Sequence, residues 1–200
     1  SVLAGQIIAE ADGFVSANII SSVSGTVKAI EKRENVLGTT DLSIVVVNDG
    51  QYTLSEGVGT EVDPTTLTTQ EILEKVKAAG IVGLGGAGFP THVKLAPKDP
   101  AAIKYVIANG AECEPYITCD DQLMRNYVDE IVGGLKIMLQ LFPNAEGVVL
   151  IEENKPEAIA AVQKVCANEN KIHVHPVHVK YPQGGERAIM DVVAGKHIKL

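Results

Sequence analysis

Gly83, Gly85, Gly86 and Gly88 crowd into six positions, in a chain where glycine is otherwise scattered. Ordering so many glycines costs backbone entropy, and a plain turn needs only one or two. The cluster therefore predicts a loop whose backbone N–H groups approach a ligand closely. Pro90 suits the first position of a following helix, whose free N–H groups and dipole attract anions, and Lys94 adds a cation just beyond it. This is the chemistry of a phosphate or cofactor cradle. Gly83, Gly85 and Gly88 do spell G-x-G-x-x-G, but only Ile81 and Val82 separate them from a helical segment, whereas a Rossmann turn must follow a strand. No glycine of the loop precedes a lysine, which excludes a P-loop.

Two further stretches carry polar groups at element ends. Asn109-Gly110-Ala111-Glu112-Cys113-Glu114-Pro115 sets an amide and two carboxylates behind a predicted strand. The same residues equally make an ordinary turn with solvated acids. Tyr181-Pro182-Gln183-Gly184-Gly185-Glu186 reads as a Tyr-Pro and Gly-Gly turn ending in an acid. His173 and His175 share one face of a predicted strand and His178 the other; without a third ligand they describe a half-exposed sheet face, not a metal site. Cys113 has no histidine base nearby in sequence and reads as a small buried residue.

Taken in order, the three stretches resemble the signatures of the flavin and NADH-binding subunit of respiratory complex I and its relatives. Pro115-Tyr116-Ile117-Thr118-Cys119-Asp120-Asp121 is most similar to the branch formed by the C subunits of Rnf ferredoxin:NAD oxidoreductase complexes. The resemblance implies FMN held by Gly83, Gly85, Gly86 and Gly88, with Ala87 and Phe89 facing the nicotinamide nucleotide and Lys94 near both. It implies a flavin contact for Asn109, a nicotinamide-side contact for Glu114 beside Glu112, and flavin and dinucleotide contacts for Tyr181, Gly184 and Glu186. Ala111 and Gly185 depart from the pattern, each standing where complex I subunits have an acid. No catalytic residue is expected, because hydride transfer between NAD(H) and FMN needs no protein acid or base. The resemblance further implies 4Fe-4S clusters in a C-terminal region beyond this sequence, other Rnf complex subunits as partners, and a cytoplasmic place on the inner face of the cell membrane, reached only through those partners. Cobalamin reductases of the propanediol-utilisation type share the glycine loop and the Glu-Cys-Glu-Pro run, and a docking module without flavin would share the fold.

Composition sets the bounds. A chain of 200 residues with a net charge of −8 and no basic run disfavours a nucleic-acid surface. No apolar run reaches bilayer length. Cys113, Cys119 and Cys166 form no C-x-x-C pair and no even disulfide set, which fits a reducing compartment.

The elements that must position these groups fall into two regions. Residues 1–60 alternate short β-branched runs with Gly and Ser, at Gln6–Ala9, Gly13–Ser16 and Ser21–Ile30, and predict a small β barrel-sandwich resembling a lipoyl or biotinyl carrier. Its first residues already read as a strand, so an N-terminal piece is expected to be missing. The carrier's tip corresponds to Asn18-Ile19, which holds no lysine for modification. Residues 61–200 predict an α/β domain: a three-layer, mostly parallel sheet with flanking helices, truncated at its C-terminus. Thr68 and Glu71 make a capping box for a helix ending at Gly80. Strands are predicted at Ile103–Ala108, Gly147–Ile151 and Ile172–Lys180. Helices are predicted at Asp121–Phe142, with Leu123, Tyr127, Ile131, Leu135, Met138 and Phe142 inward, at Pro156–Ala167, and from Glu186 toward Gly195. Such sheets bind ligands beyond the carboxyl ends of their strands, where the second and third signatures and Glu152-Glu153-Asn154-Lys155 all fall.

Overall fold

Of the early β-branched runs, Gln6–Ala9 and Ser21–Ile30 form strands, and two further strands form outside the named runs. The computed structural model describes residues 1–84 and 88–195, and the chain divides into two units, Ser1–Pro97 and Lys98–Leu200. In the first, β1 (Ile7–Ala9) pairs antiparallel with β2 (Ile19–Ile20), and β3 (Gly25–Glu34) with β4 (Thr40–Asn48). Two expectations fail here. Gly13–Ser16 forms bends and not a strand, with Phe14 and Val15 exposed, because Gly13 turns the chain at φ +87°. Ile19 lies within β2 and not at a tip. The tight hairpin turn is instead Asn35–Gly38, where the Asn35 side-chain oxygen accepts the N–H groups of Leu37 and Thr39. That turn also holds no lysine.

Helix α1 (Thr69–Ala78) starts at the expected capping box: Thr68 accepts the Glu71 N–H while Glu71 accepts the Thr68 N–H. Its apolar stripe buries Ile72. Gly80 then stops it at φ +62°, and a Cβ there would come within 2.6 Å of the Asn18 carbonyl oxygen. Both facts demand glycine. Gly80→Ala is expected to cost about 2 kcal/mol, from left-handed strain and a clash with backbone that cannot rotate away. Chemical denaturation followed by circular dichroism checks it.

In the second unit, β5 (Tyr105–Gly110), β6 (Glu146–Glu152) and β7 (Ile172–Val177) form a parallel sheet in that order. β5 sits two residues later than expected, so Asn109 and Gly110 belong to the strand, opposite Leu150 and Ile151. β7 ends at Val177, short of Lys180, and tolerates Pro176 because it is an edge strand. β6 is buried from Gly147 to Glu152. On one face, α3 (Cys119–Asn126), α4 (Val128–Gln140) and α5 (Pro156–Cys166) bury Met124, Val132, Leu135, Ala158 and Val162 against Val149 and Ile151. On the other, α6 (Glu186–Ala194) packs Ile189 on Ala111, Val148, Leu150 and Val177. The unit is the expected three-layer α/β arrangement.

The single helix expected over Asp121–Phe142 is two helices, broken at Tyr127 (φ −132°, ψ 37°). The break shifts the helical phase. Leu123 and Tyr127, expected inward, are exposed, and Met124 and Val132 take the core, while Leu135 and Phe142 are buried as expected. Asp129 and Glu130 in the first turn of α4 were the available signal, since acids favour helix starts.

Candidate functional site

The glycine loop belongs to the first unit. Its neck is a short ladder: Val82 bridges Pro90, the Gly83 N–H donates to the Phe89 carbonyl at 2.9 Å, and the Thr91 N–H to the Ile81 carbonyl at 3.0 Å. The neck thereby fixes both ends of the stretch from Gly83 to Phe89. Gly88 stands at φ +59°, Phe89 is 41% exposed, and Gly85, Gly86 and Ala87 lie outside the described residues. Pro90 is the N-cap of a one-turn helix, α2 (Thr91–Lys94), one place earlier than expected, and Lys94 closes that turn with its side chain exposed.

In the second unit, the ends of all three strands supply the site. Asn109 ties two loops together: its amide Nδ2 donates to the Gly184 carbonyl at 3.0 Å, and its Oδ1 accepts the Ala111 N–H at 3.1 Å. The loops meet closely enough to require glycine, because a Cβ on Gly184 would fall 2.3 Å from the Ala111 oxygen and 3.2 Å from Cys113 Sγ. Glu114 and Tyr181 are exposed at this edge. Glu186 occupies the first turn of α6, a position favourable to an acid, with Gly185 as its N-cap.

Glu112 has a different task from its neighbours. Its carboxylate is buried and accepts the Asp120 N–H at 2.8 Å, the Asp121 N–H at 3.3 Å and the Cys119 thiol at 3.2 Å, with Lys155 Nζ 3.6 Å away. It caps α3 from outside the helix and draws in the lysine that begins α5. Burial pushes its pKa up, but the Asp120 N–H, the Cys119 thiol, the Asp121 N–H and Lys155 together outweigh burial and lower it. Asp120 shifts upward through burial and then the Glu112 charge. Glu152, at the end of β6, is likewise raised by burial and by Glu112, with Lys155 opposing. The Cys119 thiol is raised, first by its bond to Glu112, which keeps it protonated. Glu112, Cys119 and Asp120 form a group close enough to hold a metal, but the α3 N–H groups and Lys155 already supply the positive charge there.

Two buried oxygens at this edge, Glu152 Oε1 and Gln183 Oε1, have no hydrogen-bond partner among the described residues. The sequence places Glu152 at this edge, but it does not single out Gln183 or mark Lys155 as a partner of Glu112. A lysine before a proline-initiated helix looks like any surface lysine.

The strand ends of this α/β unit bring an amide, a glycine contact and two unpartnered buried acceptors to one edge, the edge beyond the carboxyl ends of the strands where parallel sheets bind their ligands. Residues 76–200 match the family of the Nuo51 FMN-binding domain and residues 1–51 the RnfC barrel sandwich hybrid domain. The chain belongs to the Nuo51 FMN-binding domain family. It is 38% identical, over 99% of its length, to the C subunit of the Na(+)-translocating ferredoxin:NAD(+) oxidoreductase complex of Acetobacterium woodii, covering 45% of that protein. It is 40% identical, over 97% of its length, to the C subunit of the proton-translocating ferredoxin:NAD(+) oxidoreductase complex of Clostridium ljungdahlii, covering 42% of it. The chain thus spans less than half the length of these relatives. Among solved structures, an NAD+-reducing NiFe-hydrogenase in its H2-reduced state superposes with TM-score 0.55 at 25% identity, over 67% of this chain and 26% of that one. Among the described residues, no helix is long and apolar enough to cross a membrane.

Proposed function

We propose that this chain is the nucleotide-binding part of the C subunit of an ion-translocating ferredoxin:NAD oxidoreductase, holding FMN and NAD(H) and relaying electrons between NAD(H) and ferredoxin-derived iron–sulfur centres. The observation that carries this reading is the convergence of the second and third signatures at the strand ends, joined by Asn109 and Gly184 at 3.0 Å. The edge suits FMN because the unpartnered Gln183 and Glu152 oxygens call for hydrogen-bond donors, which ribityl hydroxyls would provide. Bound FMN would supply the exchange between two-electron hydride chemistry and single-electron transfer.

The chain's own residues bind and orient. Gly83, Gly85, Gly86 and Gly88 let backbone approach the flavin nucleotide, and Lys94 neutralises phosphate. Asn109 and Gly184 fix the flavin-side edge, Glu112 holds that loop to α3, and Ala87, Phe89, Glu114, Tyr181 and Glu186 face the dinucleotide. In this reading the functional division falls near residue 60, with a barrel-sandwich module before it and the FMN and NADH domain after it. The partners are the other subunits of the complex, which hold this part at the cytoplasmic face of the membrane and couple it to ion transport.

The test is the visible spectrum of the purified chain reconstituted with FMN and titrated anaerobically with NADH. Flavin bands that bleach on titration are expected. A folded chain that takes up no FMN sinks the reading. Lys94→Ala is expected to weaken FMN retention about tenfold, the loss of one charge-assisted phosphate contact, measured by equilibrium dialysis.

A further inference from the structure

Tyr116 holds a backbone conformation that its side chain opposes. The turn Glu114–Ile117 is closed by the Ile117 N–H on the Glu114 carbonyl at 3.4 Å, with Pro115 in its second place and Tyr116, at φ +65°, in its third. That third place with positive φ is where glycine or asparagine is normally found, and a bulky residue there is a genuine outlier. The ring gains nothing from the fold in return, since Tyr116 is 104% exposed. The other non-glycine residue at positive φ among those described, Tyr52 at φ +54°, is used differently: its hydroxyl accepts from Asn48 Nδ2 at 3.3 Å. Strain kept at an exposed aromatic, in a loop at the ligand edge of a sheet, points to use of the ring by something outside the chain.

The loop itself is firmly held. Three residues before Tyr116, Cys113 Sγ lies against Gly184, and Tyr181, the other exposed tyrosine of this edge, stands three residues before Gly184. On the far side, Glu112 ties the same loop to the start of α3. A loop held on both sides that presents an exposed aromatic ring beyond the strand ends is suited to a flat, nitrogen-containing ring.

We propose that Tyr116 is a ligand-binding residue, the platform on which a planar nitrogen heterocycle, isoalloxazine or nicotinamide, stacks at the carboxyl edge of the sheet. This rests on the reading of that edge as a flavin and nicotinamide site. Stacking contributes free energy without sequence-like selectivity, and removing one such platform weakens binding about tenfold.

The experiment compares the chain with its Tyr116→Gly, Tyr116→Asn and Tyr116→Phe variants. Affinity for FMN and, separately, for NADH is measured by titration calorimetry, with thermal unfolding of the ligand-free protein alongside. Tyr116→Gly and Tyr116→Asn suit positive φ, so their melting temperatures are expected to equal or exceed that of the parent, which removes misfolding as an explanation. Each is expected to bind one of the two nucleotides about tenfold more weakly. A loss confined to FMN assigns the platform to the flavin, and a loss confined to NADH assigns it to the nicotinamide. Tyr116→Phe keeps the ring and is expected to retain affinity, and if the stacked partner is flavin, its fluorescence rises because phenylalanine is the poorer electron donor. Parent affinities for both nucleotides in Tyr116→Gly overturn this inference alone. A parent chain that binds neither nucleotide overturns the site reading and this inference with it.

Discussion

Glu112→Ala is expected to destabilise the second unit by about 3 kcal/mol or more, the largest single effect of any substitution at the site. The change leaves three donors without their acceptor, the N–H groups of Asp120 and Asp121 and the thiol of Cys119, and strands Lys155 in a half-buried position. Removing one side of a buried charged contact costs about 3–5 kcal/mol, and loss of a helix cap alone costs about 1 kcal/mol. Glu112→Gln keeps the shape and one acceptor oxygen, so its cost is smaller and isolates the charge. That charge has a definite pH signature. The carboxyl is shifted downward on folding, so its ionised form stabilises the unit above the ordinary glutamate range, and this contribution is lost as pH falls through the lower, folded value. Asp120 and Glu152 are shifted upward and act in the opposite sense: their protonated forms favour folding at low pH, and that contribution is lost as pH rises through their folded values. The stability gap between parent and Glu112→Gln, read by urea denaturation, should therefore be full at neutral pH and close in acid. A gap independent of pH would contradict the charge role assigned to Glu112.

Gly184→Ala should strike binding harder than stability. The added methyl would meet the Ala111 carbonyl oxygen, which is backbone and cannot swing aside, and Cys113 Sγ as well. The two loops must part by an ångström or so, and the Asn109 amide then loses its bond to the Gly184 carbonyl. Overpacking of this kind costs about 1–3 kcal/mol of stability. A misplacement of that size in a site built to orient two flat rings is expected to reduce NADH-dependent flavin reduction about a hundredfold. Stopped-flow absorbance of the FMN-loaded chain, with a melting curve as control, separates the two effects. A variant that melts like the parent and reduces flavin at the parental rate would show that the loops are not in tight register when loaded.

Legible from the residues alone was the inventory: glycine density at 83–88, the polar runs after two strands, the capping box at Thr68 and Glu71, and the strand and helix alternation of an α/β unit. These can be read because periodicity, caps and strand-end placement are local properties, expressed within one or two turns of chain. Fine boundaries were less so. The two-residue shift of β5 comes from the pairing of Asn109 and Gly110 with Leu150 and Ile151, and the break at Tyr127 depends on how α3 and α4 each meet the sheet, so neither is written in the neighbouring residues. Which polar side chains face inward was settled by tertiary packing. Glu112 reads like Glu114, two residues away in the same loop, yet one is buried against the start of α3 and the other exposed. Lys155 became part of the site through a contact 43 positions distant in the chain. Tyr116 became notable through a dihedral angle, which follows from how the turn is closed and not from the identity of the residue that occupies it. Long-range contacts fix such features because they balance burial against charge and strain over several elements at once, and no window of sequence contains all the partners.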